Sequence, residues 1–213
     1  SPGLTGQTQY DITFTKDTLC DILIVGGGGG GSAGHGGGGG AGQLVFIHQT
    51  TLNGSYNIKV GNGGIGGISY EVSGSRQATK GLNSVFDTII AEAGGANTGI
   101  SSDKDGGSGA GGDGWTSDGG TAGKGVKDSN TDTYSSGVVY SKGNDGGGGT
   151  GSGQGGGGGG AGSNGRGGDA WYFPSITKAS AKLTPIARTS TKISLESATG
   201  SGTSKYCRLS IGP

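Results

Sequence analysis

The sequence predicts a mainly β protein with essentially no α-helix, a jelly-roll-like β-sandwich whose inter-strand connections are packed polyglycine-II helices. Three observations predict it. Glycine supplies 57 of the 213 residues, where average usage is roughly 7%. The glycine is clustered, in tracts at 26–42, 106–125 and 143–168 and a lighter one at 61–67. Short β-branched and aromatic runs lie between the tracts, and no stretch carries a convincing helical period of apolar residues.

The elements follow in chain order. Residues 10–15 (YDITFT) alternate with period two, and 19–25 (LCDILIV) form a nearly continuous apolar run suited to a buried strand. Residues 43–49 (QLVFIHQ) and 55–60 (SYNIKV) read as two strands joined at Asn53-Gly54, a turn pair favoured at positive φ. Further strands are expected at 84–92, 137–140, 170–173, 192–195 and 205–211. The whole reads as a single domain over 1–213, with a Ser/Thr/Lys-rich stretch at 175–203.

Gly/Ser tracts are ordinarily flexible linkers, and that reading stands as the alternative. Ordered packing is favoured because the tracts alternate with strands and end directly against β-branched residues. A polyproline-II-type helix has about three residues per turn and no internal hydrogen bonds, so a lone one gains nothing. Several packed side by side satisfy one another's N–H and C=O groups, and only glycine permits that approach. Collagen is excluded, because these glycines run consecutively and only four prolines are present.

Composition removes several function classes. Apolar residues make up 28% of the chain, too few for a large core, yet charged residues are only 14%, unlike a typical disordered chain. Formal net charge is zero, which argues against nucleic acid, since phosphate binding needs a basic excess. No segment approaches the roughly 20 apolar residues of a membrane span. The chain contains no methionine, so Ser1 reads as the start of a processed or cleaved chain. Cys20 and Cys207 allow one disulfide and no metal framework, and two reduced thiols are equally compatible with the sequence.

Tempting motifs fail on their physics. Strand 22–25 followed by Gly26–Gly31 matches a dinucleotide fingerprint, but more glycine follows where a helix must begin. Gly123-Lys124 is followed by Gly125 instead of Ser or Thr, so no phosphate loop forms. Asp103, Asp105, Asp113 and Asp118 lack calcium-loop spacing and read as turn residues. His48 reads as a satisfied or exposed strand histidine, and His35 as part of a turn between glycine helices. No nucleophile, base and orienting group can be assembled, so an enzyme is not expected, nor any cofactor or metal. Asn53-Gly54-Ser55 is a glycosylation sequon.

Aromatic residues are 6% of the chain. Trp171–Phe173 closes the last tract and reads as its cap. Trp115 and Tyr134 lie in the most loop-like region, Tyr134 and Tyr140 flank a Ser/Thr/Asp-rich stretch, and the three are the candidate ligand contacts, since aromatics on rigid loops offer large area for little entropy. A purely structural role is the competing reading.

DILIVGGGGGG at 21–31, GGGGGAGQLVFI at 36–47 and LNGSYNIKVGNGG at 52–64 together resemble glycine-rich domains of phage tail-fibre adhesins and of large-virus and algal surface proteins. LNSVFDTIIAEAGG at 82–95 and YCRLSI at 206–211 are similar to later steps of that pattern. The resemblance covers most of 10–168 and the last strand; residues 175–203 have no counterpart in it. It implies stacked polyglycine-II helices with receptor-binding loops at a distal tip. The glycine-rich region of receptors of the anaplastic lymphoma kinase type, a second relative, pairs such helices with a TNF-like β-sandwich. In such a fold the first and last strands neighbour each other, bringing Cys20 near Cys207. The resulting expectation is a non-enzymatic adhesion or receptor-recognition module, extracellular or on a virion surface, facing a host receptor or glycan. The alternative is a self-assembling subunit of a virion, fibre or extracellular filament, with identical subunits as partners. Ice binding by a flat glycine face is a third reading, without the regular Thr array to support it.

Overall fold

The computed structural model describes residues 6–68, 77–98, 101–114, 122–125, 132–134, 137–160, 165, 192–199 and 205–213. Eight strands are described: β1 (Gln7–Val25), β2 (Leu44–Gly61), β3 (Ser84–Phe86), β4 (Ile89–Ala91), β5 (Asp132–Tyr134), β6 (Gly137–Lys142), β7 (Lys192–Thr199) and β8 (Lys205–Gly212). They join one mixed sheet in the order β4-β3-β2-β1-β8-β7, with β6 also on β2 and β5 on β6. No α-helix occurs among the described residues; Ser101–Lys104 is a single 3-10 turn. The mainly β expectation is met. The described strands form one curled sheet, and no pairing among them defines the two facing sheets of a jelly roll.

β1 and β2 are the spine. They pair antiparallel from Gln7↔Gly61 to Val25↔Leu44, with register shifts between Phe14 and Thr18 and between Cys20 and Ile22. The first shift corrects the sequence reading at Asn53-Gly54. Those residues make no hairpin turn; they lie within the continuous β2, and Gly54, at φ 94°, pairs with Phe14 where β1 bulges. Bulges bend a strand and increase its twist, and inward residues from both halves of the spine meet in one cluster. Phe14, Leu52 and Ile58 come from one half, joined by Phe86 of β3, and Ile22, Ile24 and Ile47 from the other, joined by Leu209 of β8. Tyr56 stacks on Phe86 at 5.2 Å between ring centroids and meets Phe14 edge-on at 6.0 Å. The predicted strand at 84–92 is instead the β3–β4 hairpin, turned at Asp87 with φ 53°.

β8 runs parallel to β1, with Cys20 opposite Cys207. Cys20 is buried and disulfide-bonded, and Cys207 is the only other cysteine in the chain. β7 joins the sheet through β8 alone among its described pairings. Residues 192–199 of the Ser/Thr/Lys-rich stretch thus belong to the sheet, while 170–173 lie outside the described residues.

The glycine tracts form an ordered bundle that continues the spine. Where β1 and β2 end, the N–H of Gly26 donates to Gln43, that of Gly29 to Gly40, and that of Ser32 to Gly37. The step between paired residues has passed from the two of a β-ladder to three, the repeat of a polyglycine-II helix. A second row on the same segment, Gly27 and Gly30, donates to Leu82 and Thr79 at the same step. Segment 36–43 in turn donates from Gly38 and Ala41 to Gly156 and Gly159, and accepts from Gly111 and Ser108. Adjacent backbones lie so close that a Cβ on Gly42 would sit 1.8 Å from the Gly26 oxygen, and one on Gly158 1.9 Å from that of Gly39.

Candidate functional site at the tip of the glycine bundle

The bundle has a sheet end and a far end, and the far end is where its turns collect. Segment 26–31 runs out from the sheet and segment 36–43 runs back. Ser32–His35 makes the reversal between them, with Gly34 at φ 71°. His35 thus lies in a turn between glycine helices, as the sequence reading expects. Thr150–Gln154 makes a second reversal with Gly153 at φ 94°, closed by the Thr150 N–H donating to the Gln154 carbonyl at 3.0 Å. Gly114, ending segment 106–114, lies between the two turns. Its N–H donates to the His35 carbonyl at 2.9 Å, and its carbonyl accepts from Gly153 at 2.9 Å.

Side chains lock the same turns. The His35 ring Nδ1–H donates to the Gly153 carbonyl. Ser32 Oγ–H donates to the Asn97 carbonyl at 2.9 Å, and the Thr150 and Ser152 hydroxyls are 2.9 Å apart. Gly34, His35, Gly151 and Ser152 are exposed. The tip therefore presents fixed backbone amides, hydroxyls and one imidazole on a cross-bonded base. Among the described residues no group of three or more His, Cys, Asp or Glu gathers in metal-binding arrangement.

Of the three sequence candidates, two fall among the described residues. Trp115 lies outside the described residues; its chain neighbour Gly114 is at the tip. Tyr134 and Tyr140 are on the β5–β6 hairpin, where Tyr140 pairs in register with Phe46 of β2. Segment 36–43 separates that sheet end from His35, about 25 Å at about 3.1 Å per residue. The two tyrosines are therefore sheet positions, away from the turns at the tip. Asn53 lies on the sheet, exposed, its amide donating to Asp17 at 2.7 Å.

Sequence reasoning passed over a buried acid on β1. Asp21 is 4% exposed, at the bulge between Cys20 and Ile22. It accepts from the Gln49 N–H at 3.0 Å and lies 2.8 Å from His48 Nδ1. Gln49 holds φ 53° there. The one sequence signal was an acid inside an otherwise apolar run, LCDILIV. His48 is accordingly a partnered strand histidine.

Fold and tip together define a mainly β protein in which a curled sheet anchors a hydrogen-bonded glycine bundle. A family model described as "Glycine-rich domain" matches residues 4–205, and the chain belongs to that family. No curated protein and no solved structure matches the chain.

Proposed function

We propose that this chain is a non-enzymatic recognition module of a virion or cell surface, which uses the tip of its glycine bundle to contact a host receptor or glycan. The observation that carries this reading is the meeting of the Ser32–His35 and Thr150–Gln154 turns on Gly114, immediately before Trp115. Rigid turns with exposed donors and acceptors lose little entropy when they bind, and the tryptophan next in sequence to Gly114 is of the residue type that adds contact area. The disulfide at Cys20 supports an extracellular or virion-surface location, since such bridges persist in oxidising surroundings.

The test is binding of the labelled chain to intact cells and to a glycan array. Trp115→Ala is expected to lower binding at least about tenfold, the effect of losing about 1.4 kcal/mol, with unfolding unchanged. Binding that Trp115→Ala and Gln154→Ala both leave intact would contradict the reading.

A second reading, a self-assembling subunit of a virion, fibre or extracellular filament, is favoured by one separate observation. The bundle has an edge whose hydrogen-bonding groups find no partner among the described residues.

A further inference from the structure

In a three-fold helix the amides of one segment fall in three rows. On segment 26–31, the row of Gly26 and Gly29 donates to segment 36–43, and the row of Gly27 and Gly30 to segment 77–83. The third row, Gly28 and Gly31, has no acceptor among the described residues. The carbonyls of these two glycines accept from Gly64 and Gly67, which places segment 62–68 beside that row. Segment 62–68 carries its own unused row, because Gly63 and Gly66 neither donate nor accept there.

The steric pattern singles out the same residues. At Gly29, Gly30, Gly37 and Gly39, by contrast, a Cβ would strike backbone at 2.0–2.2 Å. At Gly28, Gly31, Gly63 and Gly66 it would meet nothing closer than 3.4 Å. Packing among the described residues does not require glycine at these places, yet glycine occupies all of them, at the repeat of the helix. Beside them Ile65 and Ile68 are 68% and 84% exposed, the highest values among the exposed large apolar residues.

We propose that this edge is a self-association face, in which segment 62–68 of a second copy occupies the open position beside Gly28 and Gly31. A neighbour there must be bare at every third residue and must offer free N–H and C=O groups at that repeat. Segment 62–68 meets both conditions, so two copies related by a two-fold axis each fill the other's open position. Ile65 and Ile68 lie next to the paired rows and lose exposure with them. At about 3.1 Å per residue the strip is about 22 Å long and only one chain wide, so its area falls well short of the roughly 800 Å² per partner of a stable dimer. The pairing is therefore weak and concentration-dependent. The inference rests on the self-assembly reading and is independent of recognition at the tip.

Sedimentation equilibrium over micromolar to millimolar concentration tests it, with amide exchange on the same samples. The wild-type average mass is expected to rise toward twice that of the monomer, while Gly63→Val/Gly66→Val associates at least tenfold more weakly. Ile65→Ser/Ile68→Ser is expected to weaken association in the same direction, and Trp115→Ala to leave it unchanged. Should the valines impair folding, the wild-type amides of Gly28, Gly31, Gly63 and Gly66 still report, gaining protection as concentration rises. A monomer mass throughout, equal association by the valine variant, or no such gain in protection would overturn the proposal.

Discussion

Single residues set two distinct tolerances in this chain. Gly158 is fixed by close approach, because a Cβ there would sit 1.9 Å from the Gly39 oxygen with other backbone at 2.5 Å. Both contacts belong to the Gly39 carbonyl, and backbone cannot swing aside as a side chain end can. Gly158→Ala is expected to destabilise by about 3 kcal/mol or more, at or beyond the upper end of overpacking costs. A urea midpoint within error of wild type would contradict the close packing. Asp21 is fixed by partners. Replacing it with Ala leaves the Gln49 N–H without its acceptor, a loss of about 1–3 kcal/mol. Chemical unfolding of Asp21→Ala measures this.

At the scale of elements, the spine passes its pairing on to the glycine segments. The β1–β2 ladder ends at Val25↔Leu44, and the next bonds, Gly26 to Gln43 and Gly29 to Gly40, keep the same two chains together. Ladder and bundle are one hairpin with two repeats. The aromatic stack of Tyr56 on Phe86 ties β3 to β2 behind it. Phe86→Ala removes a fully buried ring and is expected to cost about 3–5 kcal/mol. A cost below about 1 kcal/mol by thermal or urea unfolding would mean that the core is assembled otherwise.

Much of this scale was legible in the sequence. Glycine tracts abutting β-branched runs, as at Val25-Gly26 and Gly42 to Val45, signalled ordered connections, because only an extended bare backbone can enter such a lattice. Asn53-Gly54 misled for a physical reason. Positive φ at glycine serves a bulge as well as a turn, and only the partner strand decides which. The division of 84–92 into β3 and β4 was hidden similarly, since a lone Asp87 within a β-branched and aromatic run is only a weak turn signal. At the tip, His35 was placed by the glycines around it. The pairing of its turn with Thr150–Gln154 is a contact across 118 residues that no local pattern encodes.

For the whole molecule, the question is what replaces a large apolar interior. A modest cluster around Ile22, Ile47, Ile58 and Phe86 anchors the sheet, and the disulfide at Cys20 holds a strand at its centre. A bridge closing so long a loop contributes about 2–5 kcal/mol. Cys20→Ala/Cys207→Ala is expected to lose that amount, and an unchanged midpoint with and without reductant would contradict it. Beyond the sheet, lateral backbone bonding among glycine segments carries the structure.

Amide hydrogen exchange, resolved glycine by glycine at low protein concentration, measures that lateral bonding most directly. The expected result is a three-residue pattern on segment 26–31, with Gly26, Gly27, Gly29 and Gly30 protected and Gly28 and Gly31 exchanging fast. Gly38, Gly111 and Gly147 are likewise expected to be protected through their bonds to Gly156, Gly38 and Gly157. Uniformly fast exchange across these glycines would contradict the bundle.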